Sequence, residues 1–282
     1  LKTSTNCNIS WCCDIDYEAA KTMAVAYGIN NYTDNCEKYL SGTDLVYIAS
    51  NHATHSQYAV RALKAGCDVY IEKPISTTWN QLKELIEIEK ITSNRIFVGY
   101  NRPFSPAVLV VKKYIENHNL PFTLQCFITG HLIPEDHWYR NPNEGTRVCG
   151  NLGHWLDIAI HMLSWSGKQI DYIDIAISYS STSTHSDNFS VVMTTPRGDL
   201  ISLNFSSRSE PFEGINESIN FQQGKLIAKI NDHRHTQIWV GEKYINKKVW
   251  PKDVGHKKAI LQPFNENTTN FRSWNEIVLS TE

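Results

Sequence analysis

The stretch Asp68-Val-Tyr-Ile-Glu-Lys-Pro-Ile-Ser76 decides the fold of this chain. Its first half is rich in β-branched and aromatic residues, which predicts a strand that ends at the Glu-Lys-Pro triplet. Before it lie an apolar strand pattern, Leu45–Ala49, and a helix pattern, Ser56–Ala65, that stops at Gly66. Strand, helix and strand in this order predict parallel pairing. Ligands of open parallel sheets bind at the carboxyl ends of the strands, where Lys73 is expected.

The alternation of strands and helices continues on both sides of this unit. Toward the N-terminus we predict a strand over Asn8–Cys13, then a helix with Asp16 as its N-cap and Gly28 at its end. Toward the C-terminus a capping box opens a helix at Thr78, and a strand follows over Arg95–Tyr100. This rhythm predicts a Rossmann-like, doubly wound α/β domain whose parallel sheet is covered on both faces.

The pattern changes near residue 122. Longer alternating strands follow, and Pro196-Arg-Gly-Asp199 predicts a hairpin that joins Phe189–Thr195 to Leu200–Ser206. One helix is predicted over Leu152–Trp165. A chain of 282 residues usually holds two domains. We therefore predict a Rossmann-like domain over residues 1–120 and an α+β domain with a largely antiparallel open sheet over residues 121–282.

Composition excludes several classes of protein. The net charge is -2 with 41% apolar residues, so no basic surface for nucleic acid is indicated. No apolar run reaches the roughly 18 residues that a membrane-spanning helix needs. The seven cysteines form no C-x-x-C motif, so we expect free thiols, no zinc site and a reducing, cytoplasmic location.

Asp14 follows the first predicted strand. In dinucleotide-binding folds an acid at this place hydrogen-bonds the adenine ribose and disfavours a 2′-phosphate, so NAD is favoured over NADP. The glycine fingerprint of such folds lies about 20 residues before that acid. No glycine precedes Gly28. We therefore expect the first domain to be N-terminally incomplete, with the fingerprint and its central strand upstream of Leu1.

Five stretches together carry a resemblance to a known family. The chain resembles the Gfo/Idh/MocA family of NAD(P)-dependent oxidoreductases, named for glucose-fructose oxidoreductase, inositol dehydrogenase and rhizopine catabolism proteins. The resemblance implies hydride transfer between nicotinamide and a hydroxyl-bearing carbon of a sugar, sugar nucleotide or cyclitol. It is strongest over residues 44–76. The stretches are Cys13–Asp16, Ile48–His55, Tyr70–Ser76, Gly99–Pro106 and Gly153–Asp157.

The resemblance also implies roles for residues at the strand ends. Lys73 is the expected catalytic residue, which moves the hydroxyl proton and contacts both cofactor and substrate. A free lysine is too basic for this at neutral pH, but burial and the positive ring of oxidised nicotinamide lower its pKa. The family further implies a cis bond between Lys73 and Pro74. The other cofactor-binding residues expected are Asp14, Ser50, Asn51, His52, Glu72, Asn101 and Arg102.

Several of these positions keep a second interpretation. The family usually has Thr-Pro-Asn where this chain has Ser50, Asn51 and His52. Glu72 can equally form a structural ion pair, and Tyr100 can pack rather than touch a ligand. His55 is expected to begin a helix rather than to act in catalysis.

The predicted second-domain helix carries the other candidates. His154 is the second expected catalytic residue, because an imidazole exchanges protons near neutral pH. The family has an aspartate four residues earlier, where this chain has Gly150. Asp157 is expected to orient His154 and to contact the substrate. In an alternative alignment with the family, Asp157 and His161 form the Asp–His pair instead. Arg147, in the preceding loop, is expected to bind a substrate phosphate or carboxylate through its planar guanidinium.

Two other functions remain open at this point. Some relatives use the same redox step to cleave glycosides, regenerating NAD within the cycle. The glycine at position 150 also keeps open a binding or regulatory protein without turnover. No metal is expected, since nicotinamide carries the redox step. A sugar-like small molecule is the expected partner, without nucleic acid or membrane, and a homo-oligomer is expected through the second-domain sheet.

Overall fold

The computed structural model describes residues 7–180, 187–209, 214–265 and 271–282. The chain divides into two compact units. The first unit comprises Leu1–Gly99, Ile260–Trp274 and Glu282, and the second comprises Tyr100–Ala259 and Asn275–Thr281. The sequence predicted a boundary between residues 120 and 121, whereas the compact units divide after Gly99 and the chain returns to the first unit near its end.

The first unit contains parallel strands alternating with helices, as predicted. One sheet pairs β1 with β2, and another has the order β3-β4-β5. The strands are β1 Trp11–Cys13, β2 Asn31–Thr33, β3 Leu45–Ile48, β4 Asp68–Ile71 and β5 Ile96–Val98. The helices are α1 Tyr17–Tyr27, α2 Glu37–Leu40, α3 His55–Lys64 and α4 Trp79–Ile91. The predicted Rossmann-like fold class is confirmed.

Local chemistry explains where these helices begin and end. The Asp16 carboxylate accepts from the backbone N–H groups of Glu18 and Ala19, and Gly28 ends α1 in the left-handed conformation. At α4 the Thr78 hydroxyl accepts from the Gln81 N–H, and the Gln81 side chain accepts from the Thr78 N–H. Both predicted caps are confirmed.

β4 is the buried centre of its sheet. Val69, Tyr70 and Ile71 have 2% or less of their surface exposed, and the strand pairs on both sides. Within the described residues, no ladder joins β1 to β3, so each has one edge without a strand partner. The strand expected between them from the sequence stays a prediction.

The second unit is built on one eight-stranded sheet with the order β13-β12-β11-β10-β6-β9-β8-β7. Every neighbouring pair is antiparallel except β6 and β9. The strands are β6 Thr123–Thr129, β7 Asp174–Tyr179, β8 Asn188–Thr194, β9 Leu200–Ser206, β10 Asn216–Gln223, β11 Leu226–Asn231, β12 His235–Val240 and β13 Lys243–Lys248. The predicted hairpin between β8 and β9 and the largely antiparallel sheet are confirmed.

Helices cover one face of this sheet. Helix α6 presents Trp155, Ile158 and Met162 to the inward residues of β6, β9 and β10, and these side chains form the core of the unit. The other face exposes apolar side chains such as Phe127 and Ile227. The helices are α5 Pro106–Lys112, α6 Gly153–Ser164, α7 His256–Ile260 and α8 Trp274–Thr281. None of the helices in the described segments is long and apolar enough to cross a membrane.

Candidate functional site

Lys73 lies directly after β4, at the carboxyl edge of the β3-β4-β5 sheet. Two backbone hydrogen bonds extend the ladder to this edge: Glu72 donates to the Ile48 carbonyl, and Gly99 donates to the Ile71 carbonyl, both at 2.8 Å. Lys73 is half-buried, and the bond between Lys73 and Pro74 is cis, as the resemblance implied. Parallel strands bring the loops after β3, β4 and β5 to one edge, which is the usual ligand-binding edge of such sheets.

Glu72 packs against the end of β5. Its carboxylate accepts from the Lys73 N–H at 3.3 Å. A Cβ atom at position 99 would lie 2.8 Å from Glu72 Oε2, closer than such contacts allow, so the carboxylate needs Gly99 beside it. This close approach fixes Glu72 next to the Lys73 backbone and supports the interpretation that Glu72 orients Lys73.

Asp14 lies at the carboxyl end of β1. Its carboxylate accepts from the Asp16 N–H at 2.9 Å, and its own N–H donates to the Thr33 carbonyl at 3.2 Å. The residue is exposed. A carboxylate at a strand end that stays accessible to solvent has the chemistry and the place to accept bonds from ribose hydroxyls.

The loop after β3 holds the three other first-unit candidates. Ser50 and Asn51 are exposed, whereas His52 is 6% exposed and begins a 3₁₀ turn. The Ser50 hydroxyl accepts from the Thr54 hydroxyl at 2.8 Å, which stabilises the loop internally. Ser50 and Asn51 are therefore placed to meet a ligand at the carboxyl edge, and His52 lies inside the loop.

Two side chains link this loop to the one that carries Lys73. His55, the first residue of α3, lies 2.7 Å through Nδ1 from the Pro74 carbonyl and 2.8 Å through Nε2 from the Ser50 carbonyl. Gln81 donates to the Ala53 carbonyl at 2.8 Å and accepts from the Thr77 N–H at 2.8 Å. The sequence correctly predicted that His55 begins a helix but missed that its ring joins the two loops.

In the second unit, Arg102 belongs to a buried ionic network. It donates to both oxygens of Glu217 at 2.9 Å, and Trp155 Nε1 donates to Glu217 at 2.6 Å. His233 lies 3.5 Å from the same carboxylate. Burial alone would raise the pKa of Glu217, but Arg102 and His233 hold it well below its ordinary value. Arg102 therefore has a structural partner.

Asn101 is also inside the second unit. It is fully buried, and its side-chain amide donates to the Val254 carbonyl at 2.7 Å. The predicted cofactor contacts of Asn101 and Arg102 stay predictions, while the contacts that the structure shows for both side chains are internal to the unit.

His154 lies on the first turn of α6 and is half-buried. Its ring meets Tyr100 edge-on with 6.1 Å between ring centres. A Cβ atom at position 153 would lie 3.2 Å from the Tyr100 hydroxyl, so Gly153 gives Tyr100 room beside His154. Tyr100 therefore packs against the predicted catalytic histidine. Gly150 lies in the π-helical turn Val148–Leu152 that precedes α6.

Asp157 and His161 are both buried, and each contacts a residue of helix α8. Asp157 is fully buried and accepts from the Ser280 hydroxyl at 3.4 Å. His161 Nδ1 lies 3.0 Å from Glu276, a residue of α8. The alternative pairing of Asp157 with His161 stays a prediction. The predicted substrate role of Asp157 stays a prediction, and the structure shows Asp157 bonded to the buried Ser280 hydroxyl.

Arg147 is 2% exposed and lies in an ionic cluster. Its Nε is 3.1 Å from Asp187, and Arg140 donates to the same carboxylate at 2.8 Å. Arg147 also donates to the His131 carbonyl. Burial lowers the pKa of Arg147, whereas Asp187 opposes that shift. Two guanidinium groups thus share one carboxylate.

A cavity of about 380 Å³ adjoins this cluster. It is lined by His131, Leu132, Ile133, Pro134, His137, Tyr139, Arg147, Asn151 and Ile215.

Sequence reasoning missed Glu217 altogether. The signal was present, because Glu217 alternates with Ile219 and Phe221 on the inward face of β10. A charged residue in phase with core residues needs a buried partner. The sequence could not reveal that partner, since Arg102 is 115 residues away along the chain.

The first unit offers some of the polar groups that a dinucleotide contacts, at the carboxyl edges of its sheets. An exposed carboxylate follows β1, exposed Ser50 and Asn51 follow β3, and a lysine follows β4. These donor and acceptor types fit ribose hydroxyls and a polar nicotinamide ring. Among the residues described, no group of three histidine, cysteine or carboxylate side chains is arranged to bind a metal.

Comparisons with known sequences agree with this geometry. The sequence profile of an "Oxidoreductase family, NAD-binding Rossmann fold" matches residues 1–100. Inositol 2-dehydrogenase of Klebsiella pneumoniae is 25% identical over 201 residues, 67% of this chain and 57% of that protein. The uncharacterized oxidoreductase YhhX of Escherichia coli is 34% identical over 100 residues, 35% of this chain and 29% of that protein. The matched stretches thus span 57% of the length of the first relative and 29% of the second.

Solved structures share the fold over nearly the whole chain. Levoglucosan dehydrogenase in complex with NADH has a TM-score of 0.77 at 15% identity, covering 96% of this chain and 85% of the other. Aldose-aldose oxidoreductase from Caulobacter crescentus also has a TM-score of 0.77, at 16% identity, covering 97% and 86%. At such identities the likeness shows the fold. The sequence matches support the resemblance to the Gfo/Idh/MocA family, whose NAD-binding Rossmann profile matches residues 1–100.

Proposed function

We propose that this protein transfers a hydride between nicotinamide and a hydroxyl-bearing carbon of a sugar, sugar nucleotide or cyclitol. The observation that carries the proposal is Lys73, a half-buried amine directly after the central strand β4, at the carboxyl edge of its sheet. Relatives named as inositol dehydrogenases and sugar oxidoreductases support the substrate class.

In this proposal Lys73 acts as the base for alcohol oxidation and as the acid for the reverse reaction. A bound nicotinamide would supply the carbon that exchanges hydride. Lys73 accepts the hydroxyl proton, which needs a neutral amine. Glu72 and the loop contacts fix its backbone. His154 is proposed as a second proton-exchanging residue, and Tyr100 packs against its ring.

We propose NAD rather than NADP as the cofactor. Asp14 is exposed at the end of β1, and its carboxylate would hydrogen-bond ribose hydroxyls. The negative charge would repel a 2′-phosphate at the same place.

Incubation with NAD and a panel of sugars, sugar acids, sugar nucleotides and cyclitols tests the proposal. Absorbance of the reduced nicotinamide would rise with one class of substrate. Glycoside cleavage without net reduction would indicate the glycosidase route instead. Cofactor binding without either reaction, over the whole panel, would indicate a binding or regulatory protein and would overturn the proposal.

A further inference from the structure

Donors from two separate elements of the second unit converge on the buried carboxylate of Glu217. Arg102, in the 3₁₀ turn Arg102–Phe104, donates to both carboxylate oxygens at 2.9 Å. Trp155, on the first turn of α6, donates to Oε2 at 2.6 Å. The Arg102 guanidinium also lies over the Trp155 ring, with Cζ 4.2 Å from the ring centre. One carboxylate therefore orients side chains of both elements.

The same two elements carry the rings of Tyr100 and His154. Tyr100 lies two residues before Arg102, and His154 directly precedes Trp155. The Tyr100 and His154 rings meet edge-on with 6.1 Å between their centres, and the His154 and Trp155 ring centres are 6.0 Å apart. A displacement of Arg102 relative to Trp155 would therefore change the contact between Tyr100 and His154.

Further contacts hold the short segment that follows Tyr100. The Asn101 amide donates to the Val254 carbonyl at 2.7 Å, and Ser105 Oγ lies 2.7 Å from His233 Nδ1. Asn101 and Ser105 are fully buried. Because the segment is anchored on both sides of Arg102, a shift of Arg102 is transmitted to Tyr100 rather than absorbed between them.

Stability alone does not account for a carboxylate at this position. Glu217 alternates with Ile219 and Phe221 on the inward face of β10. Moving an ion into the interior costs several kcal/mol, and well-packed apolar side chains of similar volume often give equal or greater stability. Apolar contacts have no preferred direction, whereas a bidentate ion pair fixes both distance and orientation. The buried charge therefore contributes directional geometry that an apolar residue could not.

We propose that Glu217 is a positioning residue, which holds Tyr100 and His154 in contact by binding Arg102 and Trp155. Glu217 acts through these two side chains and is not itself a catalytic residue. The kinetic part of this inference rests on the proposed function, in which His154 exchanges a proton. The structural part, that Glu217 sets the contact between Tyr100 and His154, does not.

Trp155→Phe is the main test variant. It removes one donor to Glu217 while an aromatic ring stays beside His154 and the ion pair with Arg102 is kept. Trp165→Phe is the matched control, because it makes the same replacement at the other end of α6, where the Trp165 ring packs 6.2 Å from the ring centre of Phe221. Thermal melting checks that both variants are folded.

Proton NMR of the protein, labelled at tyrosine and histidine, tests the structural part. We expect a nuclear Overhauser cross-peak between the Tyr100 and His154 rings in wild type and in Trp165→Phe. The cross-peak should weaken or disappear in Trp155→Phe, because α6 is no longer bonded to Glu217. Equal cross-peaks in all three folded proteins would overturn the proposal, whether or not the protein turns over a substrate.

Steady-state kinetics tests the positioning role on the substrate that the panel identifies. A misplacement of about 1 Å can cost about 100-fold in rate. We expect Trp155→Phe to lower kcat about 10- to 100-fold while KM for the substrate stays within about 3-fold. Trp165→Phe should leave kcat unchanged. Equal kcat in the two variants would contradict the positioning role, whereas absence of turnover in wild type would refute the proposed function and leave the NMR result to decide on Glu217.

Glu217→Gln connects the effect to the carboxylate itself. If Trp155 acts through its bond to Glu217, the double variant should lower kcat no further than Glu217→Gln alone. Two effects that multiply in the double variant would show that Trp155 acts without Glu217 and would contradict the proposal. Where Glu217→Gln does not fold, the comparison of Trp155→Phe with Trp165→Phe decides.

Discussion

Replacement of Glu217 by Gln should destabilise the second unit strongly. The Glu217 side chain is fully buried and that of Arg102 is 6% exposed, so neither charge can return to water when the pair is broken. Glutamine keeps the shape but presents N–H groups toward the donors of Arg102 or Trp155, which both bond this carboxylate. Removal of one partner from a buried ion pair costs about 3–5 kcal/mol. We expect a loss of that size in the free energy of unfolding.

Urea unfolding followed by tryptophan fluorescence measures the change, because Trp155 lies in the network itself. Glu87→Gln is the control: this carboxylate is 71% exposed and pairs with Lys90 on the surface of α4. The control should lie within roughly 0.5 kcal/mol of wild type. A loss below about 1 kcal/mol for Glu217→Gln would refute the claim that this network stabilises the unit.

The same network predicts how stability depends on pH. Burial by itself would raise the pKa of Glu217, but Arg102 and His233 lower it well below the ordinary value. A carboxylate whose folded pKa is depressed contributes stability above its unfolded pKa, about 4.3, and loses that contribution as pH falls through the folded value. The stability difference between wild type and Glu217→Gln should therefore shrink below about pH 4. A constant difference from pH 6 to pH 3 would contradict this assignment.

Three further predictions concern the cofactor, the substrate and assembly. Asp14→Asn should shift the preference between NAD and NADP toward NADP by about 5-fold, because one carboxylate charge near a phosphate changes binding by about 1 kcal/mol. Titration calorimetry with both cofactors checks this, and an unchanged ratio would remove Asp14 from the ribose site. Arg147→Lys should raise KM for an anionic substrate about 10-fold with little change in kcat, because lysine lacks the planar guanidinium that binds anions through two hydrogen bonds. Steady-state kinetics measures this, and an unchanged KM would leave Arg147 as a structural partner of Asp187. Phe127→Glu, on the exposed face of the eight-stranded sheet, should lower the mass measured by sedimentation if copies associate through that face, and an unchanged oligomer would place the interface elsewhere.

Local signals in the sequence were sufficient for most of the fold. The N-cap at Asp16, the capping box at Thr78 and the turn of the β8–β9 hairpin each have their own short-range chemistry, and all are present in the structure. The position of Lys73 after β4 was predictable for the same reason, because a strand pattern and a proline bracket it.

Long-range pairing was not predictable from the same patterns. The order of the eight strands places β6 between β9 and β10, and no periodicity within β6 specifies those neighbours. The partner of Arg102 is likewise distant along the chain, so a residue predicted to touch a cofactor has a structural bond to Glu217. Asp157 illustrates the same point, since its partner Ser280 lies on the last helix.

The role of His55 depends on backbone geometry rather than on side-chain type. Its two partners are carbonyl oxygens of Ser50 and Pro74, and any residue at those positions would supply the same acceptors. A sequence shows which side chains are present, but it does not show which carbonyl groups two neighbouring loops turn toward each other. The structure was therefore needed to connect His55 with the Lys73 loop.

Turnover by Lys73→Met tests the catalytic assignment most directly. Methionine has a similar length without a titratable amine, and Lys64→Met, an exposed lysine on α3, is the control. With the substrate identified by the panel, we predict that kcat of Lys73→Met falls about 100- to 10,000-fold, the usual contribution of a positioned acid–base group. Turnover of Lys73→Met equal to that of Lys64→Met and wild type would contradict the assignment of Lys73 as the residue that moves the hydroxyl proton.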